Sequence, residues 1–283
     1  MTWTPSTPPP AIPSSSFALS YPAPHILLVT ITREKAMNSI PSFAHWEADD
    51  VFRWFDDEPD LRVAIITGAG TRSFCAGQDL IEQGHIKGGK ASSSDRALAT
   101  HPASGFAGVS RRVGKKPVLA AVNGWALGGG FEIVLNCDMV VAAPTAKFGL
   151  PEALRGLYAA AGGLPRIVRN VGIPLASEIA MTGRQLTAEE ALRFNLINRI
   201  AQSQATVVSE AVELAQKIAA LSPDAVIVTR AGLREAWETA SVEGAARVTS
   251  EQYGAKLMKG DNIRIGLAAF AQKKQPKWVP SKL

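Results

Sequence analysis

Two glutamates stand where a carboxylate is expensive. Glu132 closes the run Asn123-Gly124-Trp125-Ala126-Leu127-Gly128-Gly129-Gly130-Phe131-Glu132, and Glu152 closes Phe148-Gly149-Leu150-Pro151-Glu152. An unpaired carboxylate buried in apolar surroundings costs free energy, so two of them in apolar runs point to function. The glycine triplet adds a different capability. Glycines that open an apolar helix expose N–H groups with no helical partner, and such groups hold an anion. Close helix packing also accounts for glycines, but not for Glu132 in the first turn of an apolar helix. A third stretch, Ser73-Phe74-Cys75-Ala76-Gly77-Gln78-Asp79-Leu80, joins a strand end, small residues and an acidic helix start.

Competing signals are weaker. Gly68-Ala69-Gly70-Thr71-Arg72-Ser73 follows a strand as a dinucleotide turn does, but Ser73 takes the sixth place and Phe74-Cys75 starts a helix poorly. Gly84 to Lys90 has phosphate-loop spacing, yet Ala91 stands where Ser or Thr must meet magnesium. No Gly-x-Ser-x-Gly elbow exists. The four histidines read as structural: His25 at a strand start, His45 on an exposed helix face, and His85 and His101 in a loop. Cys137 reads as inert packing within an apolar helix, and no Cys or His spacing forms a metal site.

The elements that must position these groups follow from pattern. The β-branched runs predict strands at 26–31, 63–67, 118–122 and 139–142. A helix is expected from Ser42, with Phe43, Trp46, Val51 and Trp54 on one face. Residues 84 to 108 read as a long mobile loop. After Pro151 the chain turns helical: Thr187 to Glu190 is a capping box, Asn195 takes a left-handed stop, and 206–221 carries one apolar stripe. Strand and helix alternating make the fold class α/β.

The chain of 283 residues is 46% hydrophobic and 19% charged, which excludes wholesale disorder. Two cysteines give no disulfide framework. Net charge +5 suits a polyanionic ligand; with the basic residues scattered, nucleic acid is not expected as a partner. The apolar stretch from Pro117 to Ala143 contains Glu132 and Asp138, so no membrane span is expected. Residues 1–24, rich in Pro, Ser and Thr, read as a flexible tail, 25–205 as the core and 206–283 as a helical C-terminal region whose last ten residues are basic and loose. The chain ends Ser281-Lys282-Leu283, a tripeptide read by the peroxisomal import receptor, so a peroxisomal address is expected.

From about residue 26 to 278 the sequence resembles the crotonase (enoyl-CoA hydratase/isomerase) family. The likeness rests on Arg33 to Ser39, Ala76 to Leu80, the glycine triplet with Glu132, Phe148 to Gly156, and Ala269 to Trp278. It implies a spiral of ββα turns with a helical C-terminal trimerisation region, often assembled as a dimer of trimers. It implies an acyl-CoA thioester substrate, coenzyme A being part of the substrate with no other bound cofactor. Glu132 and Glu152 become the acid/base pair of a hydratase/dehydratase, and the N–H groups of Ala76 and Gly129 the oxyanion hole. Ala36, Gly77, Gln78, Asp79, Phe270 and Lys273 become the coenzyme A contacts. Within the family the alternatives are a one-glutamate isomerase and a dehydratase for a branched hydroxyacyl-CoA of secondary metabolism. Leu157 to Ala161 departs from the family pattern near the acyl pocket.

Overall fold

The computed structural model describes residues 3–85, 101–239 and 241–283. Strand β1 (Phe17–Ala23) pairs antiparallel with β2 (Ile26–Ile31), and β2 runs parallel to β3 (Val63–Gly68). The short strand β4 (Ser73–Cys75) leads into α2 (Leu80–His85), while α1 (Ala44–Asp57) precedes β3. Then come β5 (Val118–Val122), β6 (Trp125–Leu127) and α3 (Gly129–Asn136). Next are β7 (Met139–Ala142), β8 (Lys147–Gly149), a 3₁₀ turn (Pro151–Arg155) and α4 (Gly163–Thr182). With β9 (Leu186–Thr187), α5 (Ala188–Arg193) and β10 (Arg199–Ile200) the sheets are complete.

One sheet has the order β1-β2-β3-β5-β7-β10, the other β4-β6-β8-β9. Strands β3, β5 and β7 each feed a short strand of the second sheet, β4, β6 and β8, and then a helix or turn. This is the ββα spiral that the resemblance implies. Strands β3 and β5 are buried along their whole length, which is why they read as continuous apolar runs rather than alternating ones. The second sheet brings the ends of β4, β6 and β8 side by side, and everything of chemical interest follows those three strands.

Several expectations are corrected. Residues 17–23, assigned to the tail, form β1, with Phe17 opposite Ile31 at the sheet edge. Of the expected face of α1, Val51 is buried but Phe43 is exposed and Trp46 and Trp54 are half-buried; Ala44, Ala48, Phe52 and Phe55 join Val51 in the core, a spacing that fits the helical period better. Helix α6 (Val207–Ala219), placed with the C-terminal region by sequence, covers β2, β3, β5 and β7 of the large sheet. Cys137 is the residue that ends α3 rather than one within it. The helices α7 (Pro223–Thr239), α8 (Val242–Val248), α9 (Ala255–Lys259) and α10 (Asp261–Ala271) follow. The last residues are tied down: the Trp278 indole donates to the Ala220 carbonyl at 3.0 Å, and buried Asn262 exchanges hydrogen bonds with the Val279 backbone. The capping box at Thr187 and the left-handed Asn195 are as expected. Of the expected loop, residues 86–100, with most of the Gly84 to Lys90 spacing, lie outside the described residues. Among the described residues no helix is long and apolar enough to cross a membrane.

Candidate active site

Strand β4 ends at Cys75, and the chain then crosses the first turn of α3. Gly77 makes the crossing possible. It sits at φ +94, and a Cβ there would lie 3.1 Å from the Leu127 carbonyl and 3.3 Å from the Gly129 nitrogen. Ala76 corrects the sequence reading, since its N–H already donates to the Met37 carbonyl at 3.1 Å. Two residues on, the geometry differs. The Gly77 carbonyl and the Asp79 N–H both bond to Ile40, so the Gln78 N–H between them points away, as alternate groups of a strand do. It has no partner among the described residues. Gly129 opens α3, where N–H groups lack helical acceptors. Gln78 and Gly129 are therefore two donors at this turn with no partner among the described residues.

His45 fixes Gln78. Expected on an exposed face, it is fully buried, with Nε2 2.8 Å from Gln78 Oε1 and Nδ1 accepting the Ala107 N–H at 3.1 Å. Burial pushes its pKa down to about 3, so the ring is neutral and donates through Nε2. His101 stacks edge-on against it. Phe106 packs against both rings, its centroid 4.4 Å from that of His45 and 5.6 Å from that of His101, and a Cβ on Gly129 would sit 2.6 Å from its ring.

The two glutamates flank this turn. Glu132, in the first turn of α3, is 3% exposed, and its Oε1 accepts the Gly163 N–H at 2.8 Å. Burial pushes its pKa up to about 7, the Gly163 N–H opposes that rise, and the charge of Glu152 adds to it. Glu152 sits in the 3₁₀ turn, with Oε1 3.2 Å from the place a Gly128 Cβ would take. Its Oε2 is buried and has no partner among the described residues, and burial raises its pKa as well. A cavity of about 320 Å³ opens beside it, lined by Leu150, Leu157, Leu164, Ile167 and Ser177 among others. The cavity lies in the elbow of α4, which bends at Gly172 and Pro174.

The remaining predicted residues divide. Asp79 is engaged within the fold: Oδ2 accepts from Arg33 at 2.9 Å and Oδ1 accepts the Ile81 and Glu82 N–H groups at the start of α2. Ala36 lies in the 3₁₀ turn Glu34–Ala36, which is followed by left-handed Met37. Phe270 is 86% exposed, and among the described residues neither it nor Lys273 bonds to residues 76–79 or to α3. Sequence reasoning missed His45, Gly163 and the Gln78 N–H. A histidine three residues after Ser42 carries no local signal of burial, and an N–H direction depends on the distant bridge to Ile40.

Two N–H groups with no partner among the described residues and two carboxylates of raised pKa gather around the first turn of α3, an arrangement that can hold an oxyanion and exchange protons. The Enoyl-CoA hydratase/isomerase family model matches residues 23–280. The chain is 47% identical to the mevalonyl-coenzyme A hydratase of Aspergillus fumigatus over 266 residues, 94% of this chain and 95% of that protein. It is 41% identical to the carnitinyl-CoA dehydratase of Escherichia coli strain K12 over 262 residues, 89% of this chain and 94% of that one. The crystal structure of enoyl-CoA hydratase from Mycobacterium tuberculosis H37Rv superposes with a TM-score of 0.83 at 32% identity, covering 94% of this chain and 99% of the other. With sequence and fold likeness both spanning nearly the whole chain, the protein belongs to the enoyl-CoA hydratase/isomerase family and is a lyase of the CoA hydratase/dehydratase kind.

Proposed function

We propose that the chain interconverts a branched 3-hydroxyacyl-CoA and its 2-enoyl-CoA, with mevalonyl-CoA as the model substrate. The observation that carries this reading is the pair of raised-pKa carboxylates on either side of an unclaimed N–H pair. In the dehydration direction Glu152 takes the proton from Cα. The thioester oxygen gains charge and is held by the N–H groups of Gln78 and Gly129. Preorganised donors of this kind are worth roughly 3 kcal/mol each. The bond from Cβ to its hydroxyl oxygen breaks, and Glu132 supplies the proton that lets it leave as water. Hydration runs the same steps backwards. Coenzyme A enters as part of the substrate.

The choice of a branched acyl group draws on the 47% identical relative, which is named for mevalonyl-CoA, and on the apolar cavity beside Glu152. Appearance or loss of enoyl-thioester absorbance across mevalonyl-CoA, carnitinyl-CoA and 3-hydroxybutyryl-CoA tests it. Mevalonyl-CoA is expected to be turned over fastest; a clear preference for the unbranched thioester overturns the substrate assignment.

The assembly and address belong to the same proposal. Leu233, Met258, Leu267 and Phe270 leave the C-terminal helices largely exposed and apolar, which supports a homotrimer or a dimer of trimers. In it Phe270 and Lys273 reach the coenzyme A of a neighbouring subunit, and Lys273→Ala raises KM more than it lowers kcat. A monomeric mass in solution refutes this. Ser281-Lys282-Leu283 supports import into peroxisomes. An N-terminally tagged chain should give punctate signal that is lost on deleting those residues, and diffuse signal from the intact chain refutes it.

A further inference from the structure

Asn136 lies one helical turn beyond Glu132 on α3 and is 4% exposed. All its side-chain bonding capacity is used. Nδ2 donates to the Val109 carbonyl at 2.6 Å and to the Arg112 carbonyl at 3.0 Å. Oδ1 accepts from Arg166 Nε at 2.9 Å and from Arg234 Nη1 at 2.7 Å. Buried and bonded on every side, this amide is a fixed post.

Arg166 ties that post to the turn before α4. Its Nη1 donates to the Gly162 carbonyl at 3.0 Å, and its guanidinium lies over the Trp237 ring at 5.8 Å. Gly162 takes φ +100, a conformation that L side chains rarely adopt. The next residue, Gly163, is the one whose N–H holds Glu132. A Cβ on Gly163 would meet Glu132 Cγ at 2.7 Å, so the turn and the carboxylate are in direct contact. Where Gly162–Gly163 stands decides where the Glu132 carboxylate points.

We propose that Arg166 is a positioning residue for Glu132, acting by linking Asn136 to the Gly162–Gly163 turn and not by touching substrate. This rests on the reading of Glu132 as an acid/base group. Charged groups acting on Glu132 are Arg166, from α4, and Glu152, from the 3₁₀ turn. Cys75, on the β4 strand packed against α3, is held neutral by burial. Arg111, Arg234 and Glu238 in turn surround Arg166. The inference therefore has two separable parts, a geometric one through Gly162 and an electrostatic one through the guanidinium charge.

The test compares wild type, Arg166→Ala, Arg166→Lys and Glu132→Gln on mevalonyl-CoA and crotonyl-CoA, with melting temperatures recorded for each. Misplacing a reacting group by about an ångström costs up to about 10²-fold, so Arg166→Ala should lose roughly that in kcat with KM little changed. Its pH–rate limb for Glu132 should move to higher pH, because a cation that favours the carboxylate is gone. Arg166→Lys should restore the limb while recovering only part of kcat, since one ammonium does not reproduce the two directed bonds. If Arg166→Ala fails to fold, the same split between limb and kcat is read from Arg166→Lys and Arg166→Gln. A wild-type rate and pH profile in Arg166→Ala, or a KM that rises in step with the lost kcat, overturns the proposal. If instead Glu132→Gln is as active as wild type, the acid/base reading itself has failed, whatever Arg166 does.

Discussion

Glu132 and Glu152 are the same residue type held in opposite ways. Glu132 stands on a regular helix, almost wholly buried, with one oxygen fixed by Gly163 at 2.8 Å. Glu152 stands on a 3₁₀ turn beside an open cavity, half-buried, with one oxygen that no described group satisfies. A carboxylate locked in direction suits handling a small molecule such as water at one place. A carboxylate with an unpaired oxygen and room beside it suits taking a proton from carbon, a poor hydrogen-bond partner that will not pre-pay its desolvation. Surroundings, not residue type, distinguish the two.

The widest test of that difference removes each acid in turn. General acid or base groups contribute about 10² to 10⁴-fold, and Glu132→Gln and Glu152→Gln should each lose hydration by that order. They should part over the α-proton. Glu132→Gln keeps Glu152 and should still exchange deuterium into Cα from heavy water, whereas Glu152→Gln should not. Equal exchange in both variants erases the comparison, and near wild-type hydration by Glu132→Gln removes Glu132 from the acid/base pair.

The feature the two acids share gives the next effect. A methyl group at Gly129 would stand 2.6 Å from the Phe106 ring, so Gly129→Ala must shift either the ring or the N–H. Losing an oxyanion donor costs about 10²-fold or more in kcat, and here both hydration and α-proton exchange should fall together. Loss of hydration alone, with exchange intact, places the oxyanion elsewhere.

How much of this was legible depends on how local the cause is. Glu132 and Glu152 were readable because an acid in an apolar, glycine-flanked run is anomalous within a dozen residues. Strands β3 and β5 were readable because both faces of each are buried, and β2 and β7 because of their β-branched runs. Strand β1 was not, since Phe17–Ala23 mixes polar residues with Pro22 and gains its order only from pairing with β2. The donor assignment to Ala76 failed for a similar reason. Which N–H is free is set by bonds to Met37 and Ile40, from a part of the chain far away in sequence. His45 and Arg166 are the same case: what each does is decided by Gln78, Ala107, Asn136 and Gly162.

The smallest effects sharpen the comparison most, because they read burial without catalysis. Glu132 has a folded pKa pushed from 4.5 up to about 7, chiefly by burial. Between those values the folded chain keeps a proton that the unfolded chain has released. Stability from this group is therefore fully present at low pH and is lost as pH rises through about 7. At about 1.4 kcal/mol per pKa unit, the loss is on the order of 3 kcal/mol. Glu132→Gln does not titrate, so its melting temperature should overtake that of wild type as pH is raised from about 5 to about 8. The sign matters: the inactive variant becomes the more stable one at the upper end. Glu152→Gln should shift in the same direction, since the pKa of Glu152 is also raised by burial. The shift should be smaller, because Glu152 is less buried than Glu132 and solvent screens it more. A larger pH-dependent gain in Glu152→Gln than in Glu132→Gln would make Glu152 the more desolvated acid and reverse the roles argued for the two.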